Sequence, residues 1–374
     1  MNQDDNMNSL KQALNPSNCS EGGRVEKEHS FQELQAIESR RRQILHRSDL
    51  PYWRILMFID GTCLRALSSD WLLFLTLSVF VGIRFQAWTV GMLPEFALGR
   101  LGISEIGGFL SFFLVLFVNQ SNQRFQDMYK ESKNACKRIY DLAATATTAL
   151  PPAEAARLVR YINAAHAAGY VGLNQAYTKN NFFLPVNNTY HFLTPAELDL
   201  MNQQASMEGP EAFHLLCEWC LQDVSAAYDQ KMIEVKDFVG LRDKGLALRS
   251  SMDMLYDYSD QPIHFFYIHF LILLSTLYLP LFAASNAYKA GAGDDLHPSA
   301  DLLAGLIVLL QTIFVIGLRM LGRRLVEPYG TDNEDLSVLR YVEFAWSRSQ
   351  KILNARFPTK VDAGVEEQLQ GQRA

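Results

Sequence analysis

An excess of positive charge is the first thing this 374-residue chain lacks: 34 basic against 40 acidic residues leave a net charge of −6, with no extended Lys/Arg tract. Together with a pI of about 5.8, that balance argues against a nucleic-acid binder, which needs a basic stripe to neutralise phosphates. Cysteine is scarce too. Five residues give no disulfide framework, and the odd number suits thiols in a reducing compartment. The first 30 residues carry Asp4, Asp5, Glu21 and Glu26 and no apolar run, so they read as neither a secretory signal nor an Arg-rich transit peptide. No nucleophile elbow, P-loop, dinucleotide fingerprint or HExxH pattern occurs, which weighs against an enzyme.

What the chain does have is apolar character gathered into segments. Hydrophobic residues make up 49%, with 23 Phe and 15 Tyr, yet mean hydropathy is only −0.03. Four stretches stand out as membrane spans of about 18 residues or more, the length a helix needs to cross a bilayer. The first covers about 71–93, with a run of thirteen uncharged residues ending at Arg84. Arg84 belongs either near the far headgroups or in the protein interior. The second, 104–123, is uncharged between Glu105 and Arg124. The third, 262–285, lies in a longer run without Asp, Glu, Lys or Arg, and the fourth, 301–320, has seventeen uncharged residues before Arg319.

Basic residues cluster before the first span (Arg40, Arg41, Arg42, Arg47, Arg54), after the second and after the fourth, whereas the loop at 286–301 is acidic. By the positive-inside rule both termini and the 124–260 block face the cytoplasm or its equivalent. That block is helical by pattern and too charged for lipid. A helix starts at Pro151-Pro152. Thr194-Pro195-Ala196-Glu197 is a capping box, and residues 241–258 form a further helix leading to the third span. Residues 1–30 and 358–374 are polar tails expected to be disordered.

The second span is the unusual one. Phe109, Phe112, Phe113, Leu116 and Phe117 occupy adjacent helical faces and run into a cluster of amides and a hydroxyl, residues 119–123. A packed core helix with a polar end would look like this, and so would a helix lining a water path with a hydrophobic waist. Three other constellations are weaker. His214, Cys217 and Cys220 share a helical face, which fits packing better than a zinc or redox site because no fourth ligand is visible. His264 and His269, five apart in the third span, read as hydrogen-bonded interior residues. In residues 327–336, EPYGTDNEDL, Pro and Gly make a turn, with Thr331 or Asp332 capping a following helix. The hard oxygens of Asp332, Asp335 and Glu327 would alternatively suit calcium, although the spacing is not that of an EF-hand loop.

Several of these residues together resemble the bestrophin family of pentameric ion channels. The match is carried by EPYGTDNEDL after a last span ending QTIFVIGLRMLGRRL, by LTPAE in the middle block, by LRSSMDMLYDYSDQPIHF before the third span, and by Asn119 followed by Arg124. Their order and spacing agree with the family over roughly residues 50–345. The resemblance implies an all-α membrane protein with four transmembrane helices, assembled as a homopentamer around one central pore, with a large cytoplasmic helical region. One channel domain, 31–357, would hold cytoplasmic helices at 124–260 and 331–357.

Anchored on Arg124, the resemblance puts the pore neck at Gly108, Phe112 and Leu116. Gly108 departs from the family's bulky side chain, so either the neck is one ring shorter or the register shifts to Phe109, Phe113 and Phe117. The pore mouth falls at Asn119 and Asn122, and the cytoplasmic aperture at Met232, with Ile233 as the fallback. The calcium clasp maps to Asp332, Asp335 and Glu327, with Arg324 where the family has a glutamine, which weakens the case for calcium gating. No cofactor is required, and calcium is the metal that would fit. The implied activity is passage of chloride and other monovalent anions such as bicarbonate. The same fold conducting cations is one alternative, and a non-conducting membrane scaffold that recruits a soluble partner is another. Expected partners are further copies of the chain, anions and membrane lipid, but not nucleic acid.

Overall fold

The computed structural model describes residues 30–45, 51, 54, 63–90, 103–174, 176–206, 209–261, 263–290 and 298–355. Both tails and most of the stretch before the first span lie outside them. The described residues form helices and no named strand.

Local signals explain several of the helix starts. Helix α1 (Phe31–Leu45) begins with a capping box, Ser30 N donating to Glu33 Oε2 at 2.8 Å and Glu33 N to Ser30 Oγ at 3.3 Å. A short α2 (Cys63–Ser68) precedes α3 (Trp71–Val90), where Asp70 Oδ1 accepts from Leu72 N at 2.9 Å and caps the helix. Then comes α4 (Ile103–Ala149), 47 residues and about 70 Å long at 1.5 Å per residue. Helix α5 (Pro152–Ala168) starts at its proline, and a π-helical turn (Lys179–Phe183) runs into α6 (Leu184–Tyr190). The Thr194 capping box opens α7 (Pro195–Gln204) as the sequence predicts. The remaining helices are α8 (Glu211–Asp229), α9 (Val235–Asp260), α10 (Phe265–Ala290), α11 (Pro298–Val326) and α12 (Val338–Leu353).

These helices make two large apolar cores and a small third cluster of Phe80, Ala283, Ala287 and Val308 between α3, α10 and α11. One large core holds α3, α10, α11 and the first half of α4, around Leu72, Leu110, Leu114, Phe117, Leu271, Leu279 and Ile316. The other holds the second half of α4 with α5, α8, α9 and α12, around Ile139, Leu158, Phe182, Phe192, Phe213 and Leu248. Among the described residues, α3, α10 and α11 are long and apolar enough to cross a bilayer. Helix α4 is not one of them. Its apolar part, 106–118, gives way to amides after thirteen residues, so packing against α10 and α11 has to hold it.

Two ion pairs lock α3 antiparallel to α11. Asp70, before α3, meets Arg319 late in α11 at 2.5 Å, and Arg84 late in α3 meets Asp301 early in α11 at 2.5 Å. Arg84 also donates to the Ala287 carbonyl at 3.3 Å and Arg319 to Ser275 Oγ at 3.3 Å. The two places open to Arg84 on sequence grounds are therefore settled in favour of the interior. Charges held this way need their partners, and removing one member of such a pair typically costs about 3–5 kcal/mol.

In the soluble half Cys217 and Cys220 are buried in the core, and His214 Nε2 lies 2.6 Å from Asp253 Oδ1. Among the described residues no group of three or more His, Cys, Asp or Glu gathers. His264 and His269 are exposed on the single chain rather than interior, because α10 turns its other face to α3, α4 and α11.

Burial pushes the Glu197 carboxyl up, but hydrogen bonds from Tyr161, the Thr194 backbone and Arg160 outweigh it and hold the group at about 2. A carboxyl held below its unfolded value stabilises the fold above that value and loses the contribution as pH falls through the folded one. The wild-type advantage over Glu197→Gln in thermal unfolding is therefore expected to be full above about pH 4.5 and to vanish toward about pH 2.

Candidate functional site: the uncovered face of the long helix

The helical repeat of α4 divides its residues sharply. Leu110, Leu114 and Phe117 are buried in the chain, with Phe117 only 2% exposed. On the opposite side Phe109 is 67%, Phe112 60% and Leu116 41% exposed, with Gly108 and Val115 between them. The exposed stripe continues without a break through Asn119, Asn122, Gln123, Gln126, Tyr129 and Lys130. One face of one helix thus passes from aromatic and aliphatic to amide and then basic, and the chain's own helices leave it uncovered.

Close packing sets this orientation. A Cβ at Gly107 would collide with the Tyr278 hydroxyl of α10, and one at Gly322 with the Phe117 ring. The two glycines let α4 approach α10 and α11 at these points and fix which side of α4 faces inward. A Cβ at Gly108 would meet nothing within 4 Å. Tyr267 braces the same turn: its hydroxyl donates to the Phe113 carbonyl at 2.8 Å and its ring lies edge-on to Phe117 at 6.0 Å. Phe112 contacts Phe113 edge-on at 5.8 Å, and Phe113 contacts Phe270 at 6.0 Å.

The sequence-predicted residues therefore separate. Gly108, Phe112 and Leu116 share the open face with Phe109, Asn119 and Asn122, whereas Phe113 is half-buried and Phe117 fully packed. The alternative set Phe109, Phe113, Phe117 does not lie on one open face, because Gly322 makes a seat for Phe117 inside the chain. Met232 is half-buried in the turn between α8 and α9, and its neighbour Ile233 belongs to the soluble core.

Where α4 leaves the membrane half, Arg124 ties the ends of two other helices to it. It donates to the carbonyl of Gln261, just past α9, at 2.6 Å and to that of Val326, the end of α11, at 3.3 Å. A cation at helix C-termini satisfies carbonyls that have no partner in the helix.

The loop at 327–337 differs from its sequence reading. Neither Thr331 nor Asp332 caps a helix, since α12 starts at Val338 with Ser337 before it. Of the three predicted metal ligands, only Asp335 turns inward, while Glu327 and Asp332 are exposed. Asp335 Oδ2 accepts from Asp332 N at 2.7 Å, and burial pushes its carboxyl up to about 7 against the pull of Arg41. Arg324 points away to Glu334 at 3.1 Å. Sequence reasoning missed Arg41, which takes the centre of this loop from about 290 residues away: it donates to the Gly330 carbonyl at 2.8 Å and the Asp332 carbonyl at 2.9 Å.

Apolar spans, buried interspan ion pairs and a separate helical body define an all-helical membrane protein. Similarity to known proteins narrows this further. The family model described as "Bestrophin, RFP-TM, chloride channel" matches residues 47–354, and the chain belongs to the bestrophin family, a family of anion channels rather than enzymes. No curated protein matches it. Among solved structures it is similar to crystal forms of a bacterial Bestrophin homolog from Klebsiella pneumoniae. One phased with zinc is 13% identical at a TM-score of 0.63, covering 76% of this chain and 98% of that one. Two point mutants are 15% and 14% identical, with TM-scores of 0.63 and 0.62 and the same coverage. At these identities the likeness is one of fold.

The glycines give a direct test of the α4 orientation. Gly107→Ala and Gly322→Ala are each expected to destabilise the detergent-solubilised protein by about 1–3 kcal/mol, the usual cost of overpacking. Gly108→Ala should be neutral or slightly stabilising, because alanine is the better helix former. Thermal unfolding of the three variants side by side checks this.

Proposed function

We propose that this protein is an anion channel: a homopentamer with one central pore, lined by the open stripe of α4, that passes chloride and other small monovalent anions such as bicarbonate. The observation that carries the reading is the continuity of the stripe. Its amides at 119–126 cannot face hydrocarbon without unpaired donors and acceptors, and its apolar part leads directly into them. Five copies around an axis would put both parts along one water path. Phe112 and Leu116 then form the neck, Gly108 leaves it wider at the next position, and Phe109 stands at its edge. Asn119 and Asn122 lie at the neck's mouth, where their amide hydrogens can hold an anion that has shed part of its water.

A ring of phenylalanines suits an anion at close range because the edge of an aromatic ring is the positive part of its quadrupole. It also suits gating by dewetting, since a narrow apolar neck empties of water at little cost. Met232, in the turn before α9, is the proposed constriction of the cytoplasmic aperture. The basic residues beside the span ends support a cytoplasmic side for both termini and the soluble body. Glu105, exposed at the start of the same stripe, favours a second reading in which the pore conducts cations.

Reversal potentials in a planar bilayer under a chloride gradient separate the two readings. A shift toward the chloride equilibrium potential is expected, and a shift toward that of the cation contradicts the anion reading. Phe112→Ala should raise conductance or hold the pore open while leaving the fold intact. Phe117→Ala should instead cost about 3–5 kcal/mol of stability, as truncation of a buried aromatic does. Currents unchanged by Phe112→Ala would remove that residue from the neck.

A further inference from the structure

The loop between α11 and α12 is built as a cation cradle. Leu336 N donates to the Pro328 carbonyl at 2.7 Å and Asp335 N to the Asp332 carbonyl at 3.3 Å, which folds the chain back on itself. The turn leaves the carbonyls of Gly330, Asp332 and Leu336 converging on one point, beside the Asp335 carboxylate. A Cβ at Gly330 would lie 2.7 Å from Asp335 Oδ2, so the glycine leaves room for that carboxylate to close over the turn. Hard oxygens gathered in this way suit a divalent cation of the calcium type, which takes six to eight of them at about 2.3–2.6 Å.

The space they enclose already holds a charge. The Arg41 side chain, 4% exposed, enters from α1. Its Nε donates to Asp332 O at 2.9 Å, one terminal nitrogen to Gly330 O at 2.8 Å and the other to Leu336 O at 3.3 Å. The same guanidinium lies 3.6 Å from Asp335 and 3.8 Å from Glu38, with the Tyr177 hydroxyl alongside. A guanidinium has five donors in a rigid fork and stays charged at every accessible pH. Three of its nitrogens match three carbonyls, and the Glu38 and Asp335 carboxyl groups face its charge. A metal ion at coordination distance from the same oxygens would need the volume the guanidinium fills, so the residues present do not fit bound calcium.

We propose that Arg41 is the resident cation of this cradle: a tethered charge that fastens α1 to the end of the last span and closes the loop to divalent metal. The junction between membrane and soluble halves is then held without calcium. With Arg41 gone, the same oxygens and the carboxylates of Glu38 and Asp335 make a divalent cation site.

The test uses the full-length protein in detergent, with thermal unfolding in calcium chloride or EDTA and calorimetric titration of calcium chloride. Wild type should unfold at the same temperature in both and give no binding heat. Arg41→Ala should unfold at a lower temperature in EDTA, bind calcium and recover part of the loss when calcium is added. Arg41→Gln, which keeps the length and one amide donor, should behave the same way and serves if the alanine variant does not fold. Calcium binding that stabilises wild type overturns the proposal, as does a folded Arg41 variant that shows no calcium response. These readouts do not depend on which ion the pore passes, so the channel reading and this one fail separately.

Discussion

The constraint on which the structure depends is that one unbroken helix, α4, is built into both cores. Leu110, Leu114 and Phe117 fix its first half among α10 and α11, and Met128, Cys136, Ile139 and Leu142 fix its second half among α9 and α12. A helix is rigid over this length, so the rotation that seats Phe117 under Gly322 also decides which residues face out near Gln126 and Lys130. The open stripe follows from that one rotation. Apolar and amide portions stand on the same face because the helix carries them there, and the proposed neck and mouth would need no separate element to join them.

Around α4, arginines do the joining. Arg124 gathers carbonyls from the ends of α9 and α11, Arg41 gathers three from the following loop, and Arg84 and Arg319 clamp α3 to α11. In each case a planar, permanently charged group satisfies oxygens that a bilayer boundary or a turn would otherwise leave without donors. Paired and buried, Arg41 and Arg84 contribute more to fixing relative positions than to net stability, since their desolvation offsets most of the attraction. Positions are what a membrane helix bundle most lacks, because its apolar surfaces slide against one another as readily as against lipid.

The elements were largely legible in the sequence, because their signals are local. Helices do start at Pro152 and at Pro195 after the Thr194 capping box, and three of the four long uncharged runs fall in helices long and apolar enough to cross a bilayer. The capping box at Ser30 was equally local and could have been read. What was not legible was contact at long range. The sequence shows Phe109, Phe112, Phe113 and Phe117 as adjacent faces of one helix. It cannot tell which face is open until Gly107 and Gly322, whose only signal is an absent side chain, set the approach of α10 and α11. Arg41 reads as one of several basic residues before a span, and nothing local to it indicates a partner about 290 residues on. The loop at 331–337 read as a helix start because its acids suit one, whereas its carbonyls face a guanidinium instead.

The central claim is that a single face of α4 meets water and ions. Cysteine substitution along 105–126 in a background lacking the native cysteines, with a water-soluble thiol reagent applied during current recording, tests it most directly. Modification should alter the current at 112, 116, 119 and 122 and leave 110, 114 and 117 unaffected. Reactivity at 110, 114 and 117, or current changes with no helical period, would contradict the account.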